Sequence, residues 1–494
     1  MSTVSPASRT HSVALETTSP ATRGHLVLCT IALAVSFAEY WLLNYCAFPL
    51  FDSVYLWTRE ASAIAGGIAL SAIAFVSYWR PRLFDSGRFF GAAAAVMIAG
   101  SLLVAAGLAL RQSTLLVAGA SLVTVGTGLA NIVVGIGCIG LGMRRLGVAV
   151  TSAYVLAYAS RGLFSLVPGE ANLTLFCLLP LGSLALMAPA ARPLFNQIFT
   201  EGSPAQAAVT APKSFLPFGH QVFITLLIFR FIYGYTLTFG EVDRVPLLAL
   251  GALAPLALVA IYVIASRREL SPDRLFQLSI LCSVAGFLML SIVHVQGSIT
   301  SVMLSCGTGF FEMLMYYVLI ALGAKNTLNA LPLLAWGNAM ASWGTLLGAN
   351  FGRFTNVQAA DPSAVSVIAS VVVFGIVAYV VLVQKTFSFT STINGVAPLV
   401  PLVTAPTAVA GDAETGATSA STLEQRCAAI GAAHGLTDRE QEIFEYLARG
   451  RNVRFIQEAL VVSYNTVKTH VSHVYTKLDV HSHQELIDLV ERTP

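Results

Sequence analysis

Residues 463–478 read Ser463-Tyr464-Asn465-Thr466-Val467-Lys468-Thr469-His470-Val471-Ser472-His473-Val474-Tyr475-Thr476-Lys477-Leu478, and their spacing decides how the C-terminal end of the chain folds. Val467, Val471, Val474 and Leu478 recur at i, i+4, i+7 and i+11, which lays one apolar stripe along a helix over about 464–478. Ser463 stands where an N-cap is wanted. Lys468, Thr469, Ser472 and Thr476 share a polar face, with His470, His473 and Lys477 on its flank. Base edges in the DNA major groove are read by hydrogen-bonding side chains without bulk, so a buried stripe backed by short donors and one lysine suits a groove reader.

The flanking residues complete a small helical domain. Leu436-Thr437-Asp438-Arg439-Glu440 opens a helix, with Thr437 as cap and Glu440 at the capping-box position. Ile443, Phe444 and Leu447 give that helix an apolar face, and Gly450 ends it. A second helix is expected at about 453–460 with Val453, Ile456 and Leu460 inward, and a fourth at about 483–491 with Leu486, Leu489 and Val490 for packing or pairing. Leu436 to Glu440, Ile456, Leu460, Val462, Ser463, Thr466 to Lys468, His470, Lys477, Leu478 and Val480 closely resemble the LuxR/GerE-type helix-turn-helix over about 60 residues. The resemblance implies a four-helix DNA-binding domain at 423–494 whose partner is double-stranded promoter DNA. By motif position, Lys468, Thr469 and Ser472 would face bases, while Tyr464, Asn465, Thr466 and Lys477 would contact phosphates. His470 would be structural. From 423 to 494 there are eight Lys/Arg against ten Asp/Glu, so the phosphate term in affinity is modest and a homodimer on two half-sites is expected.

Before this domain the composition changes twice. From 386 to 422 the chain is rich in Ala, Thr, Ser, Pro and Gly, with Pro398, Pro401, Pro406, Gly411 and Gly416, and a disordered linker with a reach of roughly 30–35 Å is expected. Residues 25–385 are different again. The whole chain is 56% hydrophobic and 11% charged, with a mean hydropathy of +0.74, values that describe a polytopic membrane protein. Twelve apolar spans are expected at about 26–50, 60–79, 89–110, 114–142, 147–167, 173–191, 218–240, 245–265, 275–295, 298–324, 331–352 and 364–384. A polar central loop at 192–217 splits them six and six. The tail at 1–24 has no apolar run or cleavage site of a signal peptide, so the first span is expected to act as its own insertion signal. The fold class is therefore all-α: a membrane bundle of about twelve helices followed by a four-helix reader.

Lys and Arg in the short connections set the orientation. One set holds fourteen, including Arg80, Arg82, Arg88, Arg144, Arg145, Arg268 and Arg274; the other holds only Arg59, Arg111, Arg244 and Arg353. Fourteen against four places both termini in the cytoplasm of an inner (cytoplasmic) membrane protein. The 6+6 layout is similar to the major facilitator superfamily. The loop Pro81-Arg82-Leu83-Phe84-Asp85-Ser86-Gly87-Arg88 keeps that family's Leu, Asp and Gly-Arg, but has Pro81 for its glycine and is one residue shorter.

Ionisable residues at membrane depth are costly, which makes each a candidate site. They are Glu39 in span 1, Arg161 in span 5, Arg230 in span 7 and Glu312 in span 10. In the facilitator fold helices 1, 4, 7 and 10 line a central cavity, so the resemblance implies that Glu39, Arg230 and Glu312 face one another there with Asn131 nearby. Aromatic residues crowd the same spans, among them Tyr40, Trp41, Tyr233 and Tyr316, with Trp336 on span 11. A few charges among aromatic rings suit a small, partly polar, aromatic ligand. The competing reading is that Glu39–Arg161 and Glu312–Arg230 are interhelical ion pairs holding the bundle together. Asn131, Asn338 and Asn350 also suit interhelical hydrogen bonds, and the glycines of span 4 suit close helix packing.

Six of the seven cysteines lie in apolar segments without a CxxC pair, and the histidines of the reader have no cysteine or carboxylate cluster beside them, so neither a metal nor another cofactor is expected. No nucleophile–base constellation stands out, so no enzyme is expected. Two readings remain: a membrane-bound one-component regulator whose bundle senses a ligand, and a facilitator-type transporter with an attached regulatory domain.

Overall fold

The computed structural model describes residues 20–238, 250–266, 268–293, 298–358, 362–385, 387–398, 416–450, 453–460, 464–480 and 483–492. Among them there are helices and no strand. Span 1 is α1 (Pro20–Leu42), which continues through a π-helical turn, Leu43–Ala47, into Phe48–Asp52. Spans 2 to 6 are α2 (Thr58–Trp79), α3 (Ser86–Leu110), α4 (Ser113–Gly137), α5 (Met143–Phe164) and α6 (Gly169–Glu201). After a short helix α7 (Pro204–Thr210), spans 7 to 12 are α8 (Gln221–Thr236), α9 (Leu253–Ser266), α10 (Pro272–Val293), α11 (Ser298–Lys325), α12 (Ala330–Gln358) and α13 (Pro362–Leu382). Each expected span thus has its helix among the described residues.

Six of these helices are long and apolar enough to cross a membrane, and burial sorts them into inner and outer ones. The apolar window of α11 is 94% buried and that of α4 72%, whereas α3 and α6 are each 28% buried. Leu102, Leu110, Phe374 and Leu382 on the outer helices stand exposed, which in a bilayer is contact with acyl chains rather than water. The two halves meet along α5 with α9 and along α2 with α12.

Small residues let the inner helices approach. A Cβ at Gly119 would lie 2.5 Å from the Val104 backbone nitrogen, so α3 and α4 can touch backbone to backbone only with glycine there. The α8–α12 crossing repeats this at Gly348, where a Cβ would strike the Phe231 carbonyl. The facilitator-like loop also has a local reason. Asp85 is the N-cap of α3, accepting from the amides of Gly87 at 3.1 Å and Arg88 at 3.2 Å.

Two boundaries differ from expectation. Span 6 does not end at 191: α6 runs on to Glu201 because Phe195 and Ile198 are fully buried, and the central loop is itself partly helical. Ser203 and Gln206 then form a capping box that starts α7. Likewise the expected linker does not begin at 386. Helix α14 (Phe389–Gly395) packs under the bundle, capped by Ser388. Asp273 holds it, accepting from Ser388 Oγ at 2.8 Å and the Phe389 amide at 2.7 Å. Phe389, Ile393 and Val396 are buried, an i, i+4, i+7 stripe concealed in a Ser/Thr-rich composition. Residues 399–415, the middle of the expected linker, lie outside the described residues.

The reader comprises α15 (Gly416–Ala433), α16 (Asp438–Ala448), α17 (Val453–Leu460), α18 (Tyr464–Lys477) and α19 (His483–Arg492). Its first helix precedes the four read from the sequence and begins before 423. Cys427 and Ile430 from α15 join Ile443, Phe444, Val467, Val471 and Leu486 in one core.

Candidate functional site: a nucleic-acid interface and a buried charged cavity

On α18 the apolar stripe is buried as expected, with Val467, Val471 and Val474 fully so and Leu478 nearly so. Thr466, Lys468, Thr469 and Ser472 are exposed on the outer side. The side chains of Tyr464 and Asn465, and Ser463 entirely, lie outside the described residues. Lys477 has a different partner from the expected phosphate. Its ammonium donates to Glu440 Oε2 at 2.7 Å and to the Gly435 carbonyl at 2.9 Å, tying the end of α18 to the start of α16.

Glu440 therefore does two jobs. It closes the capping box, accepting from the Thr437 amide at 2.9 Å, and it receives Lys477 across the domain. The Lys477 hydrogen bond, then the Thr437 amide, pulls its carboxyl down to about 2. Arg439 beside it donates to the Leu460 carbonyl at 3.3 Å, which closes the C-terminal end of α17. The capping box was legible in the sequence, but the cross-domain reach of Arg439 and Glu440 was not, because nothing in local spacing names a partner some 20 to 40 residues away. His483 donates to the Leu447 carbonyl at 2.6 Å, and burial lowers its pKa. Glu440, His470 and His473 bring ligand-type atoms within 4.8 Å of one another, but Oε2 of Glu440 is already held by Lys477 and Thr437.

In the bundle, Arg230 of α8 and Glu312 of α11 form a doubly hydrogen-bonded ion pair, at 2.5 and 2.7 Å, with both residues buried. The Arg230 guanidinium also lies 5.5 Å from the Tyr40 ring and 5.4 Å from that of Tyr233. Arg161 on α5 stacks over Tyr158 at 4.1 Å and reaches Trp41 at 5.9 Å. Glu39 is 1% exposed, and neither of its carboxylate oxygens has a hydrogen-bond partner among the described residues. The same holds for the Asn131 amide, which is buried; Tyr316 is buried as well. Tyr316 packs edge-on against Phe37, centroids 4.7 Å apart.

Two cavities adjoin the Arg230–Glu312 pair. One of about 30 Å³ is lined by Tyr40, Trp41, Tyr158, Arg161, Tyr233 and Glu312. The other, about 90 Å³, is lined by Tyr40, Asn44, Arg59, Arg230, Tyr233 and Ser342. Tyr40 and Tyr233 belong to both, so the ion pair and these rings form the partition. Of the residues expected here, Arg161, Arg230 and Glu312 line the cavities. Glu39, Asn131 and Tyr316 are buried but line neither cavity. Trp336 is elsewhere, donating to the Phe218 carbonyl at 2.9 Å within a cluster with Phe75.

Comparison with known proteins bears on each part. Residues 434–490 match the family described as bacterial regulatory proteins, luxR family. Over 55 residues the chain is 44% identical to the transcriptional activator protein ExaE of Pseudomonas putida, covering 11% of this chain and 26% of that protein. It is 43% identical over 53 residues to the oxygen regulatory protein NreC of Staphylococcus haemolyticus, covering 11% of this chain and 24% of that one. The chain thus spans about a quarter of the length of these curated relatives. The structure of the proton:xylose symporter XylE bound to 6-bromo-6-deoxy-D-glucose superposes with a TM-score of 0.52 at 12% identity, over 73% of this chain and 96% of that one. That likeness concerns the fold alone. Residues 434–490 match the luxR family of bacterial regulatory proteins, and among the described residues they follow a bundle of apolar helices with the fold of a major facilitator transporter.

Proposed function

We propose that the chain is a membrane-bound one-component transcription regulator, with a bundle that senses a small ligand and a cytoplasmic reader that binds promoter DNA as a homodimer. The observation that carries this reading is the exposure of Lys468, Thr469 and Ser472 over a buried stripe, on the same chain as a buried charged cavity. The excess of Lys and Arg in one set of connections favours both termini in the cytoplasm. The slightly acidic reader favours pairing, because one domain gains little from phosphates.

The ligand site is proposed at the partition between the two cavities. Their volumes, about 30 and 90 Å³, fall short of the roughly 150 Å³ that holds a benzene ring. A ligand therefore enters by parting Tyr40, Tyr233 and the Arg230–Glu312 pair, which joins the two spaces. Aromatic walls with Arg161 on one side and Arg59 and Arg230 on the other select a small aromatic compound carrying an acidic or polar group. Because such binding requires the helices carrying Arg230 and Glu312 to separate, occupancy is coupled to the geometry of the bundle.

Transcript profiling of cells with and without the gene, across a panel of small aromatic compounds, tests the reading. A set of transcripts that responds to one compound only when the gene is present is the expected result; responses identical in both strains contradict it. The second reading, a transporter with an attached regulatory domain, draws on the facilitator fold and on Glu39 or Glu312 as a proton-carrying group. Accumulation of a labelled compound in proteoliposomes under a proton gradient supports it, and saturable binding without accumulation favours the sensor.

A further inference from the structure

The exposed outer side of α18 has a neighbour along one flank. Helix α7, in the loop that joins the two six-helix halves, lies against α18 and also touches α2 of the bundle. Val209 of α7 packs on the apolar core of the reader. Between them is a cleft of about 420 Å³ whose loop side is Ala208, Val209 and Pro212 and whose reader side includes Lys468, Ser472 and Thr476. Lys468 and Ser472 are among the side chains placed toward bases by motif position.

We propose that the central loop is a docking surface for the reading face of α18, so that loop and DNA compete for the same side chains. The proposal rests on the DNA-binding reading above. A major groove about 12 Å wide admits a single helix, so α18 cannot enter it with α7 alongside. The contact is also built to come apart. One valine supplies its apolar anchor, and the cleft around it has room for roughly a dozen waters at about 30 Å³ each. Its position gives it a lever. The loop continues from α6 and touches α2 in the N-terminal half, and runs into α8 of the C-terminal half. The Ala397 amide donates to the Lys213 carbonyl at 3.0 Å, tying the chain that leads to the reader onto the same loop. Any change in the angle between the halves moves α7 relative to this tie. A tether alone reports only proximity; a loop that holds the reading face reports the shape of the bundle.

The test uses the full chain in lipid nanodiscs with Val209→Cys and Thr476→Cys combined, each single variant serving as control. Mild oxidation is expected to give an intramolecular crosslink, and an excess of mixed-sequence duplex at low salt is expected to suppress it. Binding of that duplex, read by fluorescence anisotropy, should be at least about tenfold weaker for the crosslinked protein than for the same sample after reduction, as when the open form falls to a tenth of its population or less. Reduction restores the starting molecule, so a folding defect cannot imitate this result. Val209→Asp, which removes the apolar anchor, should bind more tightly than the unaltered chain. If the reduced protein binds duplex while the crosslink does not form, or forms without changing affinity, the docking proposal is overturned and the DNA-binding reading stands. If neither reduced protein nor Val209→Asp binds duplex, both are overturned.

Discussion

Two carboxylates, Glu440 in the reader and Glu312 in the bundle, are each buried and each held by a cation, yet their surroundings differ. Glu440 accepts from Lys477 and from the Thr437 amide at the edge of a water-exposed domain, and its cation is about a third exposed. Glu312 faces Arg230 with both partners removed from solvent, and Glu39, next to Tyr40, has carboxylate oxygens without a hydrogen-bond partner among the described residues. The first arrangement satisfies the carboxylate with one backbone amide and one ammonium, as a structural joint does. The second concentrates charge and unmet hydrogen-bonding capacity where desolvation is most costly, which a purely structural joint does not need.

The comparison breaks most visibly at Arg230. Replacing Arg230 by Met, or Glu312 by Leu, leaves an uncompensated buried charge and should cost about 3–5 kcal/mol, seen as a large fall in the melting temperature of the detergent-solubilised protein. The double replacement should recover most of that loss, since no lone charge remains. A double variant as unstable as either single one would show that the pair is held by more than its own charges.

At Glu440 the effect is smaller. Glu440→Gln keeps the shape but weakens the contacts to Lys477 and Thr437, and should cost the reader about 1.5 kcal/mol, read as faster hydrogen exchange in 436–480 of the full chain. The pH dependence has a definite sign. The folded pKa of about 2 lies below the ordinary glutamate value near 4.3, so Glu440 contributes stability that is complete above about pH 4.5 and is lost as the pH falls toward 2. Protection of the reader should decline across that window in the unaltered chain, with a shallower decline in Glu440→Gln. The same slope in both would remove Glu440 as its source.

Glu39 gives the smallest expected effect and sharpens the contrast. An isosteric Gln cannot strand a charge, so Glu39→Gln should leave the melting temperature unchanged or slightly raised while altering the response to ligand. A loss comparable to that of the Arg230 variant would make Glu39 a structural joint instead.

Much of this architecture is legible in the amino-acid order. The valine stripe of α18, the twelve apolar spans and the four membrane-depth charges can all be read from composition and period, because burial imposes them locally. What escapes is set by contacts across the chain. The continuation of α6 to Glu201 depends on where Phe195 and Ile198 are buried, and α14 depends on Asp273, more than a hundred residues earlier. In the site, the Arg230–Glu312 pair was one of two open alternatives that spacing could not rank, and Arg161 turned out to stack on Tyr158 and Trp41. Span number alone suggests Trp336 near the cavity; its indole N–H instead donates to the Phe218 carbonyl.

The most direct test of the central claim, that the bundle governs how the reader meets DNA, is mapping of chromosomal sites occupied by the full-length protein in living cells. The unaltered chain is compared with the Arg230→Met/Glu312→Leu double variant, before and after addition of a compound identified by transcript profiling. The account predicts discrete promoter sites whose occupancy changes with the compound in the unaltered chain and does not change in the double variant. Occupancy that responds equally in both would contradict it.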